Sequence, residues 1–307
     1  MQHLILASKT SCFVFSLFFV VPLLSQDYEP IMSVIHLDSF VVTATRQGFD
    51  VKDFIELVQK DESFYQSFRN LRFLSYQSDN DIQFYDKSNQ KIATYKSVIV
   101  QKTEGFCRTM DILSEDFSGN YFKKKRELRY YTAELYDRLF FTHGEVCESS
   151  LLQATAPKGM DKHIEQLKKL IFQPGEKVEV PIVGGKTAIF EPSMMPYYDY
   201  SISSKKYQNQ IDCYVFSVKV KPEAKASKTI IKSLETYFDK INFQVIARDY
   251  QLVYQGTAFD FNVTMNIKLR KLGKDYVPEY VHYKGYWDIP TQKPEIADFS
   301  ATFYNFK

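Results

Sequence analysis

The chain has little of what small chemical sites are made from: one tryptophan, four cysteines and five histidines in 307 residues. No C-x-x-C pair occurs, and His36, His143, His163 and His282 are scattered without a ligand spacing, so no metal site is expected. Eleven glycines and eleven prolines exclude collagen-like and low-complexity chains. Charge of one sign is also lacking. Thirty-nine basic residues against 37 acidic leave +2, which gives no general reason to expect a nucleic-acid partner. G-x-S-x-G, H-E-x-x-H, G-x-G-x-x-G and EF-hand loops are absent. Gly184-Gly-Lys-Thr187 imitates the end of a P-loop, but Val180 stands where the first glycine belongs. Glu115, Asp116, Asp249 and Asp260 could in principle form a hydrolytic carboxylate pair, though no spacing says so. The expectation is a protein without a cofactor and not an enzyme.

What is abundant is aromatic: 26 Phe and 22 Tyr bring the share to 16%, which favours β-sheet and contact surfaces over helical bundles. A leader opens the chain. Lys9 precedes the apolar run 13–24, interrupted by Pro22 and ending at Ser25, the pattern of a signal peptide cleaved after Ser25. The run is shorter than the roughly 20 residues that span a bilayer, so no transmembrane span is expected after cleavage. Export places Cys107, Cys147 and Cys213 in an oxidising compartment, Cys12 leaving with the leader. One of the three must stay unpaired. Cys107 with Cys147 is the favoured disulfide, because Cys213 sits in an alternating strand; three buried free thiols are the alternative.

Residues 26–47 read as an extended segment whose Val41-Val-Thr-Ala-Thr-Arg46 resembles a TonB box, with too little chain after it for a receptor barrel. Asp50 then caps a helix with Val51, Phe54, Ile55 and Val58 on one face, and a second helical stretch follows around Phe64–Leu71. Strands are expected at 72–76, 82–85, 92–101 and 106–113, separated by turns at 78–81 and 86–90. A helical insertion at about 115–175 carries amphipathic helices at 132–143 and 161–172. The basic run Lys123–Arg126 with its aromatic neighbours reads as a solvated strand or loop, or as a contact for anionic headgroups or acidic glycans. Later strands are expected at 197–202, 211–220, 241–247, 251–254, 276–287 and 296–306. The clearest strand is 259–270, where every odd residue is apolar and every even one polar, so it must bury one face and wet the other.

An amphipathic helix after a leader, successive antiparallel strands, inserted helices and the closing stretch Tyr276–Trp287 together resemble the lipoprotein-localisation carriers of LolA/LolB type, over residues 48–307. The resemblance implies an α+β domain built on a strongly curved antiparallel sheet, a half barrel, with helices packed on its concave face. It further implies an exported protein, periplasmic, outer-membrane-associated or extracellular, that binds a hydrophobic, acyl-bearing ligand in the cavity of the sheet. Apolar alternation supplies the lining residues: Phe54 and Val58; Phe243 and Val245; Phe259, Phe261, Val263 and Met265; Val281, Tyr283 and Trp287. Two other readings stand beside it. One is an envelope interaction protein with a filled core and a partner-binding surface at Tyr197, Tyr198 and Tyr200. The other is an envelope hydrolase with an unfamiliar site.

Overall fold

The computed structural model describes residues 50–147, 175, 177–178, 184–256, 260–288 and 293–307. The leader, the segment 26–47, the helix expected at 161–172 and Phe259 lie outside them.

Helix α1 (Val51–Lys60) starts where the sequence says it should. The Asp50 carboxylate accepts from the backbone N–H groups of Lys52 and Asp53, and the Asp53 carboxylate accepts from that of Asp50, a reciprocal cap. Helix α2 (Ser63–Asn70) follows after two residues, and α3 (Tyr131–Phe140) comes after the first strands. Strands are β1 (Tyr76–Tyr85), β2 (Lys91–Glu104), β3 (Cys107–Gly119), β4 (Val146–Cys147), β5 (Tyr198–Tyr207), β6 (Ile211–Val220), β7 (Ile231–Asp239), β8 (Val245–Gln255), β9 (Asp260–Leu272), β10 (Asp275–Asp288) and β11 (Glu295–Tyr304).

All eleven strands form one antiparallel sheet in the order β4-β3-β2-β1-β11-β10-β9-β8-β7-β6-β5. The long-range step is the pairing of the last strand with the first, Gln77 opposite Tyr304. Since β4 and β5 do not pair with each other, the sheet is open. A row of side chains crosses it in register: Tyr95, Ile82, Phe299, Tyr283, Met265, Tyr250, Leu234 and Val218, each directly opposite the next and all buried. The other face is wet. There Asp81 pairs with Lys96 at 3.3 Å, His282 Nε2 lies 2.9 Å from Asp298, and Asn266 donates to Asp249 at 3.0 Å. The expected inward turn of the odd residues of 259–270 is observed from Phe261 to Leu269.

The helices cover the apolar face. Phe54 of α1 is fully buried against the rings of Phe216 and Phe238, at 6.3 and 5.8 Å. Tyr136 of α3 meets Phe299 edge-on at 4.6 Å, and its hydroxyl donates to Asn80. The start of α3 is capped from far along the chain. Its N-cap residue, Tyr130, offers no side-chain cap; the Glu295 carboxylate accepts instead from the Tyr131 and Thr132 N–H groups at 2.8 and 3.0 Å and from the Thr132 hydroxyl at 2.9 Å.

Glu295→Ala would leave those donors buried without their acceptor, so unfolding free energy should fall by about 1–3 kcal/mol in urea titration. Burial pushes the Glu295 carboxyl above its ordinary range, partly offset by these hydrogen bonds. A raised folded-state pKa favours folding at low pH, and this contribution is lost as pH rises from the ordinary carboxylate range through the raised value. Glu295→Gln should remove that slope; an unchanged pH profile would contradict the assignment.

Several expected boundaries are corrected. Residues 71–73 form a 3-10 turn rather than a strand, held by Gln101 Nε2 donating to the Leu71 and Leu74 carbonyls at 2.6 and 2.8 Å. The expected turn at 78–81 lies inside β1, because Ser78 and Asn80 are buried and hydrogen-bonded to each other, to Ser97 and to Tyr136. Residues 115–119, expected to open the helical insertion, continue β3. The strands expected at 241–247 and 251–254 are a turn followed by the unbroken β8, and β7 was not anticipated.

Candidate functional site

The structure distributes the expected lining residues over three places. Phe54, Val58, Phe243 and Val245 belong to the packing of α1 and α2 on β6–β8. Phe243 takes a left-handed turn conformation (φ 57°) that stacks it on Tyr214 at 5.8 Å, and the Val245 N–H donates to Ser63 Oγ at 3.2 Å. Phe261 and Trp287 meet at 5.0 Å beside Tyr254, with the Trp287 indole N–H donating to the Tyr283 hydroxyl; Val263 is buried, pairing with Leu252. Only Met265, Val281 and Tyr283 come together under α3. With Phe68, Leu135, Leu139, Phe140, Ile267 and Phe299 they line a wholly apolar seam of about 20 Å³. A volume of that size holds one water-sized probe, so the seam is closed core as it stands.

The seam shares a wall with a larger cavity. Phe68, Leu139 and Phe140 form its outer wall and also line an adjoining cavity of about 400 Å³. Leu71, Tyr76 and Phe141 extend the apolar lining, and Arg69, Arg72, Arg108 and Arg138 enter from α2, the turn after it, β3 and the last turn of α3. No carboxylate is among the described lining residues. Arg108 Nε donates to Thr142 Oγ1 at 3.3 Å, and the arginine's charge partly offsets the burial that pushes the Tyr76 phenol up. The Cys107–Cys147 disulfide, expected from the sequence, lies one residue from Arg108 across the β3–β4 pair.

These arginines were not singled out from the sequence, where they lie in no basic run. The one legible sign was the i, i+3 spacing of Arg69 and Arg72, which puts both on one side of the chain where a helix ends. A second cavity, about 320 Å³, lies beside α3 and is lined by Tyr95, Tyr121, Phe122, Ile112 and their neighbours. In it Arg126 pairs with Glu115, and His143 Nε2 lies 2.7 Å from Asp137.

The remaining candidates have structural roles. Glu115 pairs with Arg126, Asp249 accepts from Asn266, and Asp260 accepts from the Gly256 N–H at 2.8 Å, so these acids are held by separate partners. Gly184–Lys186 is a 3-10 turn pressed against Val178, whose carbonyl would lie 2.1 Å from a Cβ at Gly184; Thr187 closes it by donating to the Gly184 carbonyl. In the run Lys123–Arg126 the Arg126 guanidinium sits over the rings of Phe117 and Phe122. Tyr198 is buried and the Tyr200 hydroxyl donates to the Ile189 carbonyl, so this stretch is less exposed than a partner surface would need. Cys107, Glu145 and Cys147 lie within 4.8 Å of one another, but both sulfurs are spent in the disulfide and cannot ligate a metal. Cys213 is free and buried in β6. No helix among the described residues is long and apolar enough to cross a membrane.

No family model and no curated protein matches the chain. Among solved structures it is similar to a LolA superfamily protein from Nitrosomonas europaea, at 10% identity over 80% of this chain and 91% of that one, with a TM-score of 0.23. It is also similar to a domain from Vibrio parahaemolyticus assigned to the outer membrane lipoprotein-sorting proteins, at 8% identity, 84% and 93% coverage and a TM-score of 0.30. A DUF1329 family protein from Desulfovibrio piger aligns at 10% identity, 84% and 92% coverage and a TM-score of 0.26. The likeness is one of architecture. At these TM-scores it says nothing about a site, whose case rests on the side chains themselves.

Proposed function

We propose that the protein is an exported, non-enzymatic carrier that takes an acyl-bearing ligand on the helix-covered face of its sheet, that face being the concave side of a half barrel. One observation supports this most directly: the wall formed by Phe68, Leu139 and Phe140 is shared by an open cavity and a wholly apolar seam. A hydrocarbon chain lying along that wall leaves water without burying a polar group. The cavity's size, about 400 Å³, falls in the usual range for small-molecule sites. Each buried methylene adds about 0.8 kcal/mol, so a chain of about eight gains roughly 6 kcal/mol before the costs of association. Met265, Val281 and Tyr283 form the inner end, which widens as the chain enters. The disulfide fits folding in an oxidising compartment.

Native mass spectrometry of protein purified from its own cell envelope is the test. An acyl-bearing molecule should be carried at about one per chain, and Leu139→Trp, which fills the shared wall, should abolish it while the melting temperature stays within a few degrees. Repeated recovery without lipid, or full loading of the Leu139→Trp variant, would overturn the reading.

A further inference from the structure

Four guanidinium groups around one cavity need a reason in a chain with a net charge of +2. They come from four separate elements, so no local basic run explains their meeting. Arg108 and Arg138 already have partners, whereas among the described residues the Arg69 and Arg72 guanidinium groups have no ion-pair or hydrogen-bond partner. Like charges gathered at the mouth of a cavity repel one another, and an anion placed among them relieves that repulsion. A guanidinium is also the group best shaped for carboxylate and phosphate oxygens, which it can hold through two parallel N–H donors. Directly beneath these arginines begins the apolar wall of Phe68, Leu139 and Phe140. The second cavity provides the contrast to Arg69 and Arg72, since its Arg126 is already matched by Glu115.

The geometry points to a ligand that is a single-chain anionic amphiphile: its carboxylate or phosphate head is held by Arg69 and Arg72, at a mouth that Arg108 and Arg138 also line, and its chain runs inward along Phe68, Leu139 and Phe140. This specifies the head group for the carrier reading and rests on it. The polarity of entry follows, with the head at the mouth where α2, α3 and β3 converge and the chain end toward Tyr283.

The test is calorimetric titration of the full folded chain, stripped of lipid, with four probes below their aggregation limits. Oleate and 1-oleoyl-lysophosphatidate carry an anionic head, 1-oleoylglycerol has the same chain without charge, and inorganic phosphate has no chain. Both anionic lipids should bind at least about tenfold more tightly than 1-oleoylglycerol, phosphate weakest of all, and of the three lipids only the anionic two should weaken with added salt. Arg69→Gln with Arg72→Gln should bring the anionic lipids to within about threefold of 1-oleoylglycerol, the loss falling mainly on the anionic lipids; Arg69→Lys with Arg72→Lys should fall between. The salt dependence is read on the unaltered protein, so it stands even if a variant folds poorly. Equal affinity for charged and neutral lipids, insensitive to salt, would overturn the head-group inference and leave the carrier reading standing. Binding of none of the three lipids would overturn both. Phosphate bound as tightly as the anionic lipids would leave an anion site without a chain, which also overturns the amphiphile.

Discussion

Asp61→Asn is expected to lower the free energy of unfolding by about 3–5 kcal/mol, among the largest losses from any single polar substitution in this chain. Arg248 lies on the covered face of β8 with its side chain 3% exposed, its guanidinium 4.2 Å above the Phe64 ring and 3.4 Å from the Asp61 carboxylate. Its Nε also donates to Thr236 Oγ1 at 3.3 Å. Burial pulls the Arg248 pKa down and the Asp61 charge acts against that pull. Asparagine can still accept from the Ser63 N–H, as Asp61 does at 3.0 Å, so the start of α2 keeps its cap and the loss measures the charge. The double variant Asp61→Asn, Arg248→Met should recover most of the loss, because replacing a buried pair by apolar volume is often close to neutral. Denaturant midpoints decide the matter. A double variant as unstable as the single one would show that the guanidinium is not held chiefly by Asp61.

The same pair explains why β8 was read as two fragments. Charges at 248 and 249 look like the end of a strand when only local sequence is considered. Asp249 is on the wet face with Asn266, where a charge costs little, and Arg248 is on the covered face, where a carboxylate from the α1–α2 junction helps to make it tolerable. Ser78 and Asn80 mislead in the same way, since their burial depends on Tyr136, more than fifty residues away. Where each residue's fate is set by its own strand, the sequence is legible. The alternation of 261–269 and the cap at Asp50 follow from period and local hydrogen bonding alone. The site is legible only in part. Apolar alternation identifies side chains that face the helices, but it cannot separate the three that meet the seam from those that pack α1 or surround Trp287. The arginines escape it altogether, because what unites them is the convergence of α2, β3 and α3.

Removing the disulfide by Cys107→Ala with Cys147→Ala should cost about 4 kcal/mol for a closed loop of 40 residues in the chain-entropy model. The local argument is as strong as the entropic one. Among the described residues, strand β4 has two, paired to β3 through Cys107 with Cys147 and Arg108 with Val146. Two residues of pairing do not hold a sheet edge, so the covalent link keeps β4 in place, and with it the approach from Phe141 and Thr142 that closes one side of the cavity. Reduction of the native protein should therefore match the double variant in urea midpoint and have no further effect on it. Cys213 serves as the internal control: it is fully buried, its thiol donates to the Lys205 carbonyl, and burial pushes the thiol up, away from reactivity. Function should follow the same bond. With β4 released, Arg108 loses the frame that sets it beside Thr142, and affinity for an anionic amphiphile should fall by more than affinity for its neutral counterpart. Equal losses for both would place the disulfide's effect on the apolar wall rather than on the arginine mouth.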